Sequence, residues 1–182
     1  ELPVGRHVLV GASMGGMVAM HAALQAPERV AALGLLGTSA RADTPELVRL
    51  RSDACAMFAQ GRMDEVLRAN VLFAFHPANA ADTVLVDGYL DLIRRAGAAQ
   101  LIRQNQAVMA RPDLRNALHR IRCPTLVAVG DADQLTTPDQ AREIADAIAG
   151  ARLERVTGAG HMLTLEQPDR VNALLLGWLA TL

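Results

Sequence analysis

The stretch His7-Val8-Leu9-Val10-Gly11-Ala12-Ser13-Met14-Gly15-Gly16 decides the fold of this chain. A short apolar run enters a glycine-rich turn, and apolar residues then recur at helical spacing from Met17 to Leu24. This order predicts a strand, a tight turn and a helix. A sharp turn of this kind lifts the serine hydroxyl out of the sheet, and the glycines let strand and helix approach closely. Ser13 is therefore a candidate nucleophile, and the N–H of Met14 is a candidate donor to an oxyanion.

A glycine-rich turn after a strand has two other interpretations. The first is a loop that cradles a nucleotide phosphate, but the order Gly-x-Gly-x-x-Gly is absent and the chain has no lysine for a Gly-Lys-Ser/Thr motif. The second is a purely structural turn, with which the motif alone is equally compatible. The choice between a structural and a catalytic turn depends on residues elsewhere in the chain.

A catalytic serine needs a base and a carboxylate, because its hydroxyl is a poor nucleophile on its own. His161 lies in Gly158-Ala159-Gly160-His161-Met162, between the last predicted strand and a closing helix. Asp131 and Asp133 directly follow another predicted strand, Thr125 to Val129. Loops at the carboxyl ends of parallel strands gather at one edge of a sheet, where active sites of open α/β folds usually lie. The pattern predicts that Ser13, His161 and one of the two aspartates meet there.

The remaining pattern predicts an α/β fold with four parallel strands, at about residues 7–10, 30–36, 125–129 and 152–156. Between the second and third strands the sequence shows only helical patterns, at about residues 45–58, 63–73, 81–96 and 98–109. Further helices are predicted at 138–148 and 167–182. We expect a core formed by residues 1–37 and 119–182, and a helical cap formed by residues 38–118.

Composition and charge exclude several classes of protein. The chain has 182 residues, a net charge of −1, and 51% hydrophobic and 20% charged residues, which is typical of one globular domain or slightly more. Its longest apolar runs fall short of the roughly 18 residues that span a bilayer. Arginines alternate with acids, so we expect no nucleic-acid or membrane partner, and Cys55 and Cys123 are too few for a disulfide framework or a metal site. We expect a soluble, cytoplasmic protein that needs no cofactor or metal.

The sequence resembles the α/β-hydrolase superfamily, in particular the capped bacterial esterases that include 3-oxoadipate enol-lactonases. Four stretches carry the resemblance: Gly11–Gly16, Cys123–Val127, Gly130–Pro138, and Gly160-His161 with the following Leu165-Glu166-Gln167-Pro168. The order serine, acid, histidine along the chain is the one this superfamily uses. In the family the acid lies three positions after the glycine that ends its strand and precedes Thr-x-Pro. The resemblance therefore selects Asp133 over Asp131, and Asp131 is expected to be a solvated turn residue.

The resemblance implies a serine hydrolase that cleaves small carboxylic esters or lactones through an acyl-enzyme on Ser13, with His161 and Asp133 as its partners. It also implies one oxyanion donor at Met14 and a second in a His-Gly type loop after the family's third strand. We expect this chain to lack that loop, since it begins at what resembles the fifth strand. The alternative is a non-catalytic fragment or scaffold with an incomplete oxyanion hole.

The resemblance also leads to an expectation about the first strand of the sheet. Only about a dozen residues precede Ser13, so we expect the N-terminal strands of the family to be absent and the edge at His7–Val10 to need cover. A homo-oligomer, another partner chain, further N-terminal sequence or a rearrangement would provide it.

Within the cap, Phe73 and Phe75 are expected in its core or on an apolar substrate wall. Arg94, Arg95 and Arg111 are expected to be solvated or structural, with the weaker alternative that one of them, Arg95 or Arg111, binds a substrate carboxylate.

Overall fold

A parallel sheet of four strands forms the centre of the computed structural model, which describes residues 4–182. The strands lie in the order in which they occur in the chain: β1 (His7–Ala12), β2 (Val30–Leu36), β3 (Thr125–Gly130) and β4 (Arg152–Val156). All four confirm the predicted strands. β1 continues two residues beyond the predicted end because Gly11 and Ala12 still pair with Leu35 and Leu36 of β2.

Eight α-helices accompany the sheet in the described part of the chain. Four of them follow β1, β3 and β4: α1 (Met14–Gln25), α6 (Pro138–Ala147), α7 (Leu163–Glu166) and α8 (Pro168–Leu179). The other four lie between β2 and β3 and confirm the predicted helical stretch: α2 (Pro45–Ala59), α3 (Met63–Ala74), α4 (Thr83–Ala96) and α5 (Ala98–Met109). Only α7 was not predicted, because four residues are too few to show a period.

The starts of α2 and α4 follow from their capping residues. Thr44 precedes Pro45 at the first helical position, and its Oγ1 accepts a hydrogen bond from the N–H of Leu47 at 3.4 Å. Asp82 accepts from Val84 and Leu85 at 3.0 and 3.1 Å. Because Asp82 caps α4, this helix starts at 83 rather than at the predicted 81.

Both faces of the sheet are covered, which explains why β2 and β3 are almost continuously apolar. Leu33 and Leu35 pack in one cluster with Met20 of α1 and Ile144 of α6. The alternate residues of β2 point to the other face, where Leu36 packs near Val171 and Ala32 near Trp178, both of α8. The helices therefore lie on both sides of the sheet and leave the carboxyl ends of its strands for the loops.

Helices α2–α5, which we call the helical insertion, have an apolar cluster of their own. It contains Phe58, Leu67, Val71, Ala74, Phe75, Tyr89, Leu90 and Leu101. Phe75 is fully buried and meets Tyr89 edge to face, with ring centres 5.2 Å apart. The expectation that Phe73 lies in this core is wrong: Phe73 is 51% exposed, because a residue two positions after Val71 points to the opposite side of the helix.

The division into a core and a cap stays a prediction. Ala40, Leu114 and Leu118 lie within the predicted cap range of 38–118, yet they pack in the cluster that contains Leu33 and Leu35 of the sheet. The insertion as defined by its own cluster is therefore shorter than that range.

β1 lies at an edge of the sheet and, among the described residues, pairs only with β2. Val8 and Val10 on this strand are 40% and 47% exposed. What covers this edge stays a prediction. Within residues 4–182, none of the helices combines the length and the apolar character needed to cross a membrane. The cytoplasmic location also stays a prediction.

Candidate active site

Ser13 stands between β1 and α1 in a strained backbone conformation. Its φ is +50°, and no other described residue except glycine has a positive φ. Its N–H donates to the carbonyl of Leu36 at 2.9 Å, and its own carbonyl accepts from Gly16, Met17 and the Thr38 hydroxyl. These bonds on both sides hold a conformation that is costly for a non-glycine residue.

The glycines around Ser13 allow β1 and α1 to touch. A Cβ atom at Gly11 would overlap the backbone of Gly15, and one at Gly16 would lie 2.7 Å from the side chain of Thr38. No side chain fits at either position without movement of the backbone or of Thr38. This is the close approach that the Gly-x-Ser-x-Gly motif predicts.

Asp133 lies in the loop after β3, and its carboxylate is fully buried. One oxygen, Oδ1, accepts from the N–H groups of Leu135 and Thr136 at 2.9 and 2.8 Å, and Oδ2 accepts from the Thr136 hydroxyl at 2.8 Å. Burial by itself raises the pKa of Asp133. The hydrogen bond from His161, the positive charge of its ring when protonated, and the Thr136 donors outweigh burial and hold this pKa below its usual value. The carboxylate is therefore ionised at neutral pH.

His161 connects Asp133 to Ser13 through its two ring nitrogens. Nδ1 lies 2.9 Å from Oδ2 of Asp133 and 3.1 Å from the Thr136 hydroxyl oxygen, and Nε2 lies 2.9 Å from Oγ of Ser13. Since an ionised carboxylate can only accept, we assign the ring proton to Nδ1. Nε2 then presents its lone pair to the Ser13 hydroxyl.

The three residues predicted as one site thus meet in the structure: Ser13 and Asp133 each lie within hydrogen-bonding distance of one ring nitrogen of His161. They come from the carboxyl ends of β1 and β3 and from the loop after β4. Met14 is the first residue of α1, where N–H groups have no carbonyl partner within the helix. The arrangement can polarise a hydroxyl and direct backbone donors at charge that develops beside it.

Asp131 is not the solvated turn residue that was expected. Its Oδ1 accepts from the N–H groups of Gly158 and Ala159 at 3.0 and 3.3 Å. Because β3 and β4 are neighbours in the sheet, the loops that follow them lie side by side, and the N–H of Asp131 donates to Val156 of β4. Asp131 therefore supports the loop that carries His161.

The sequence analysis gave no role to two residues at the site. Thr136 donates to Asp133 and touches His161, and Glu166 accepts from the N–H of Gly160 at 2.7 Å. Both belong to stretches that carry the family resemblance, so the signal was present. The resemblance thus included Thr136 and Glu166 but did not indicate which residues they contact.

Arg111 has a structural role, so the idea that it binds a substrate carboxylate is wrong. It forms an ion pair with Asp43 at 2.8 Å and donates to the carbonyls of Arg41 and Val108. Arg95 is exposed, and its proposed contact with substrate stays a prediction. Within residues 4–182, no three His, Cys, Asp or Glu side chains are grouped so that they could bind a metal ion.

Comparisons with known proteins identify the family of this fold. The alpha/beta hydrolase family model matches residues 1–174. An esterase from Thermogutta terrifontis has a TM-score of 0.91 at 28% identity, with 97% of this chain and 65% of the esterase covered. The enol-lactonase from Burkholderia xenovorans LB400 has a TM-score of 0.87 at 27% identity, with 97% and 66% covered.

A pimeloyl-[acyl-carrier protein] methyl ester esterase from Neisseria meningitidis is 27% identical over 173 residues, which are 91% of this chain and 66% of that protein. The chain therefore spans 65% to 66% of the length of these three proteins. The family model nevertheless covers all four strands and the loops with Ser13, Asp133 and His161. The chain belongs to the alpha/beta hydrolase family.

Proposed function

We propose that this chain carries the catalytic residues of a serine hydrolase that cleaves small carboxylic esters or lactones. The observation that supports this proposal most directly is the pair of 2.9 Å distances that connects Ser13 Oγ, His161 and Asp133. A structural turn needs neither a buried carboxylate nor an imidazole aligned with the serine hydroxyl. This pattern of nucleophile, base and orienting carboxylate is recognised by geometry.

In the proposed reaction, Ser13 Oγ forms a bond to the carbonyl carbon while Nε2 of His161 takes the hydroxyl proton. The bond to the leaving oxygen then breaks, and His161 returns the proton to that oxygen. A water oxygen then bonds to the acyl carbon while His161 takes a proton from the water. The bond from that carbon to Ser13 Oγ breaks, His161 returns the proton to Oγ, and the carboxylic acid leaves. The ionised Asp133 holds the Nδ1–H tautomer and stabilises the imidazolium formed in each step.

We assign one oxyanion donor, the N–H of Met14 at the start of α1. The negative charge that develops on the carbonyl oxygen would also be favoured by the dipole of this 12-residue helix. Loss of one of two oxyanion donors typically lowers turnover by about a hundred- to a thousand-fold. A covalent label on Ser13 accumulates with time, so labelling detects a reactive serine even where turnover is slow.

The substrate class is supported by the similar proteins, an esterase, an enol-lactonase and a methyl ester esterase. Esters and lactones share the carbonyl carbon that Ser13 would attack, and they differ in whether the leaving alcohol stays attached to the acyl group. One site can therefore accept either kind of substrate, and the surrounding side chains decide between them.

The test is reaction of the folded chain with a fluorophosphonate probe, followed by an ester and lactone panel. We expect one adduct, located at Ser13 by mass spectrometry, and its loss in Ser13→Ala and His161→Ala. Ser52→Ala is the matched control, since the Ser52 hydroxyl is exposed and donates to the carbonyl of Val48. This variant should be labelled like the parent chain.

The opposite results would support the alternative, a non-catalytic fragment or scaffold. A folded chain that reacts at no serine would reject the hydrolase proposal. Hydrolysis that persists in Ser13→Ala would reject the acyl-enzyme on Ser13 and would require another nucleophile.

A further inference from the structure

Glu166 connects the helical insertion to the loop that carries His161. Its Oε1 accepts from the N–H of Gly160 at 2.7 Å, directly before the histidine. Its Oε2 accepts from the N–H of His76 at 2.7 Å and from Nδ2 of Asn79 at 2.8 Å, both just after α3. One carboxylate thus takes three donors from two segments that are more than 80 residues apart in the chain.

The two segments also touch through their backbones. A Cβ atom at Gly160 would lie 2.6 Å from the nitrogen of His76 and 2.6 Å from the carbonyl carbon of Phe75. The N–H of Met162, on the other side of the histidine, donates to the carbonyl of Ala74 at 3.1 Å. A displacement of the end of α3 would therefore act directly on the backbone at His161.

Two carboxylates hold the three successive N–H groups that precede His161. Asp131 accepts from Gly158 and Ala159, and Glu166 accepts from Gly160. Asp131 belongs to the sheet side of the loop, whereas Glu166 also binds the insertion. Of the two, only Glu166 makes the position of the loop depend on the position of the insertion.

We propose that Glu166 is a positioning residue that sets the imidazole of His161 between Ser13 and Asp133 and couples it to the helical insertion. The proposal rests on the catalytic role proposed for His161. Its chemical basis is acceptor capacity: Glu166 has no donor of its own as a carboxylate, and both of its oxygens face N–H groups. In Glu166→Gln, the amide NH₂ must face at least one of these donors. At least one of the hydrogen bonds is then replaced by a repulsive contact between two N–H groups, although the side chain keeps its size.

The experiment compares Glu166→Gln with Glu143→Gln in the full chain. Glu143 is a suitable control because it is also a part-buried glutamate, and it bonds to Arg41 and Arg115 away from the His161 loop. The first readout is the low-field proton resonance of His161 Nδ1–H in NMR spectra, which reports the bond to Asp133. The second is the rate of labelling of Ser13 by the fluorophosphonate probe.

We expect the Nδ1–H resonance to shift or broaden in Glu166→Gln, in samples shown to be folded by circular dichroism. Labelling should slow by about ten- to a hundred-fold, the scale of a small displacement of a catalytic group. Glu143→Gln should match the parent chain in both readouts. Asn79→Ala removes one donor from Glu166 and also the bond from Asn79 to the Gly158 carbonyl, but it leaves the bond from Gly160 to Glu166, so its effect should have the same direction.

The proposal is overturned if Glu166→Gln keeps the parent resonance and a labelling rate within twofold of Glu143→Gln. If Glu166→Gln does not fold, Asn79→Ala takes its place against the same control: since it removes two bonds between the insertion and the loop, parent values in both readouts would overturn the proposal. A chain that is never labelled would reject the proposed hydrolase. The NMR comparison would still test whether Glu166 positions His161, so the two failures are distinguishable.

Discussion

The loops at the carboxyl ends of the strands and the helical insertion are held by different forces. In the loops, main-chain N–H groups bond to buried or part-buried carboxylates, as at Asp133, Asp131 and Glu166. In the insertion, apolar side chains pack with each other, and arginine–carboxylate pairs connect the helices and the segments beside them. The first kind of contact needs a particular side chain only as acceptor, because its donors are backbone groups, whereas the second needs matched side chains on both partners. The two regions meet around Glu166, through its own bonds and through those from Asn79 to Gly158 and from Met162 to Ala74.

The insertion also leaves more of its apolar side chains in contact with solvent. Six large ones are more than 40% exposed in α2–α4: Leu47, Leu50, Leu72, Phe73, Val84 and Leu92. Its stability must then come from its few buried apolar positions and from the charged cluster around Asp43, which lies just before α2. The following predictions separate the two regions, first by activity and then by stability.

The largest effect is expected from Asp133→Asn, in the loop region. The amide keeps the size of the side chain but no longer fixes the Nδ1–H tautomer or stabilises the imidazolium of His161. Hydrolysis of any ester accepted by the chain should fall by about ten-thousand-fold, the scale seen when a triad carboxylate is replaced in this way. The measurement is steady-state hydrolysis, together with the rate of Ser13 labelling.

Asp131→Asn is the matched control for this substitution. Its side-chain oxygen can still accept from Gly158 and Ala159, so the backbone of the His161 loop keeps its support. We expect less than about a tenfold loss. Equal losses in the two variants would contradict the assignment of Asp133 as the carboxylate that orients His161.

In the insertion region, Asp43→Asn should cause the largest loss of stability. The carboxylate is 1% exposed and bonds to Arg51 and to Arg111, which is itself only 12% exposed. Removal of the charge leaves the guanidinium of Arg111 without its partner in a nearly dry site. The free energy of unfolding should fall by about 2–3 kcal/mol, somewhat below the value for fully buried pairs because Arg51 is partly exposed.

Urea unfolding followed by circular dichroism measures this change. The probe-labelling rate of Ser13 in the folded variant should stay close to that of the parent chain, because Asp43 has no bond to the loops of the site. A variant with parent stability would show that the charges around Asp43 contribute little to the packing of the insertion.

The same contrast explains how much could be predicted from the sequence. Each strand is a short apolar run between turn residues, and each helix of the insertion shows its own period, so both could be located. Ser13, Asp133 and His161 were identified because each follows a strand or lies in a glycine-flanked loop, and parallel strands bring such positions together. Local patterns and one topological rule were sufficient for these features.

Other features depend on contacts between distant segments. The exposure of Phe73 follows from the direction in which α3 faces its neighbours, which its aromatic character does not reveal. The bonds from Asp131 to Gly158 and from Glu166 to His76 span 27 and 90 residues. No periodicity relates such positions, and only the packing of β3 against β4 and of α3 against the His161 loop brings them into contact.

Acidification tests the Asp133 carboxylate through the free energy of unfolding of the whole chain. The folded state lowers the pKa of Asp133. The ionised carboxylate therefore stabilises the fold at pH values above its unfolded-state pKa of about 3.9. This stabilisation is lost as the pH falls through the lower pKa of the folded state. The parent chain should therefore lose more free energy of unfolding than Asp133→Asn between pH 7 and pH 3. Parallel curves from urea unfolding at each pH would contradict this linkage.

The smallest effect is expected from Asp64→Asn, which tests whether ion pairs in the insertion matter in proportion to their burial. Asp64 pairs with Arg94 at 2.8 Å, as short as the contacts of Asp43, but its side chain is 54% exposed. Water and salt screen such a pair, and ordering two long side chains offsets much of the attraction. The urea midpoint of this variant should equal that of the parent chain at moderate salt, while Asp43→Asn shifts clearly. Equal shifts in the two variants would mean that the distance between the charges decides their contribution, and that burial around Asp43 does not.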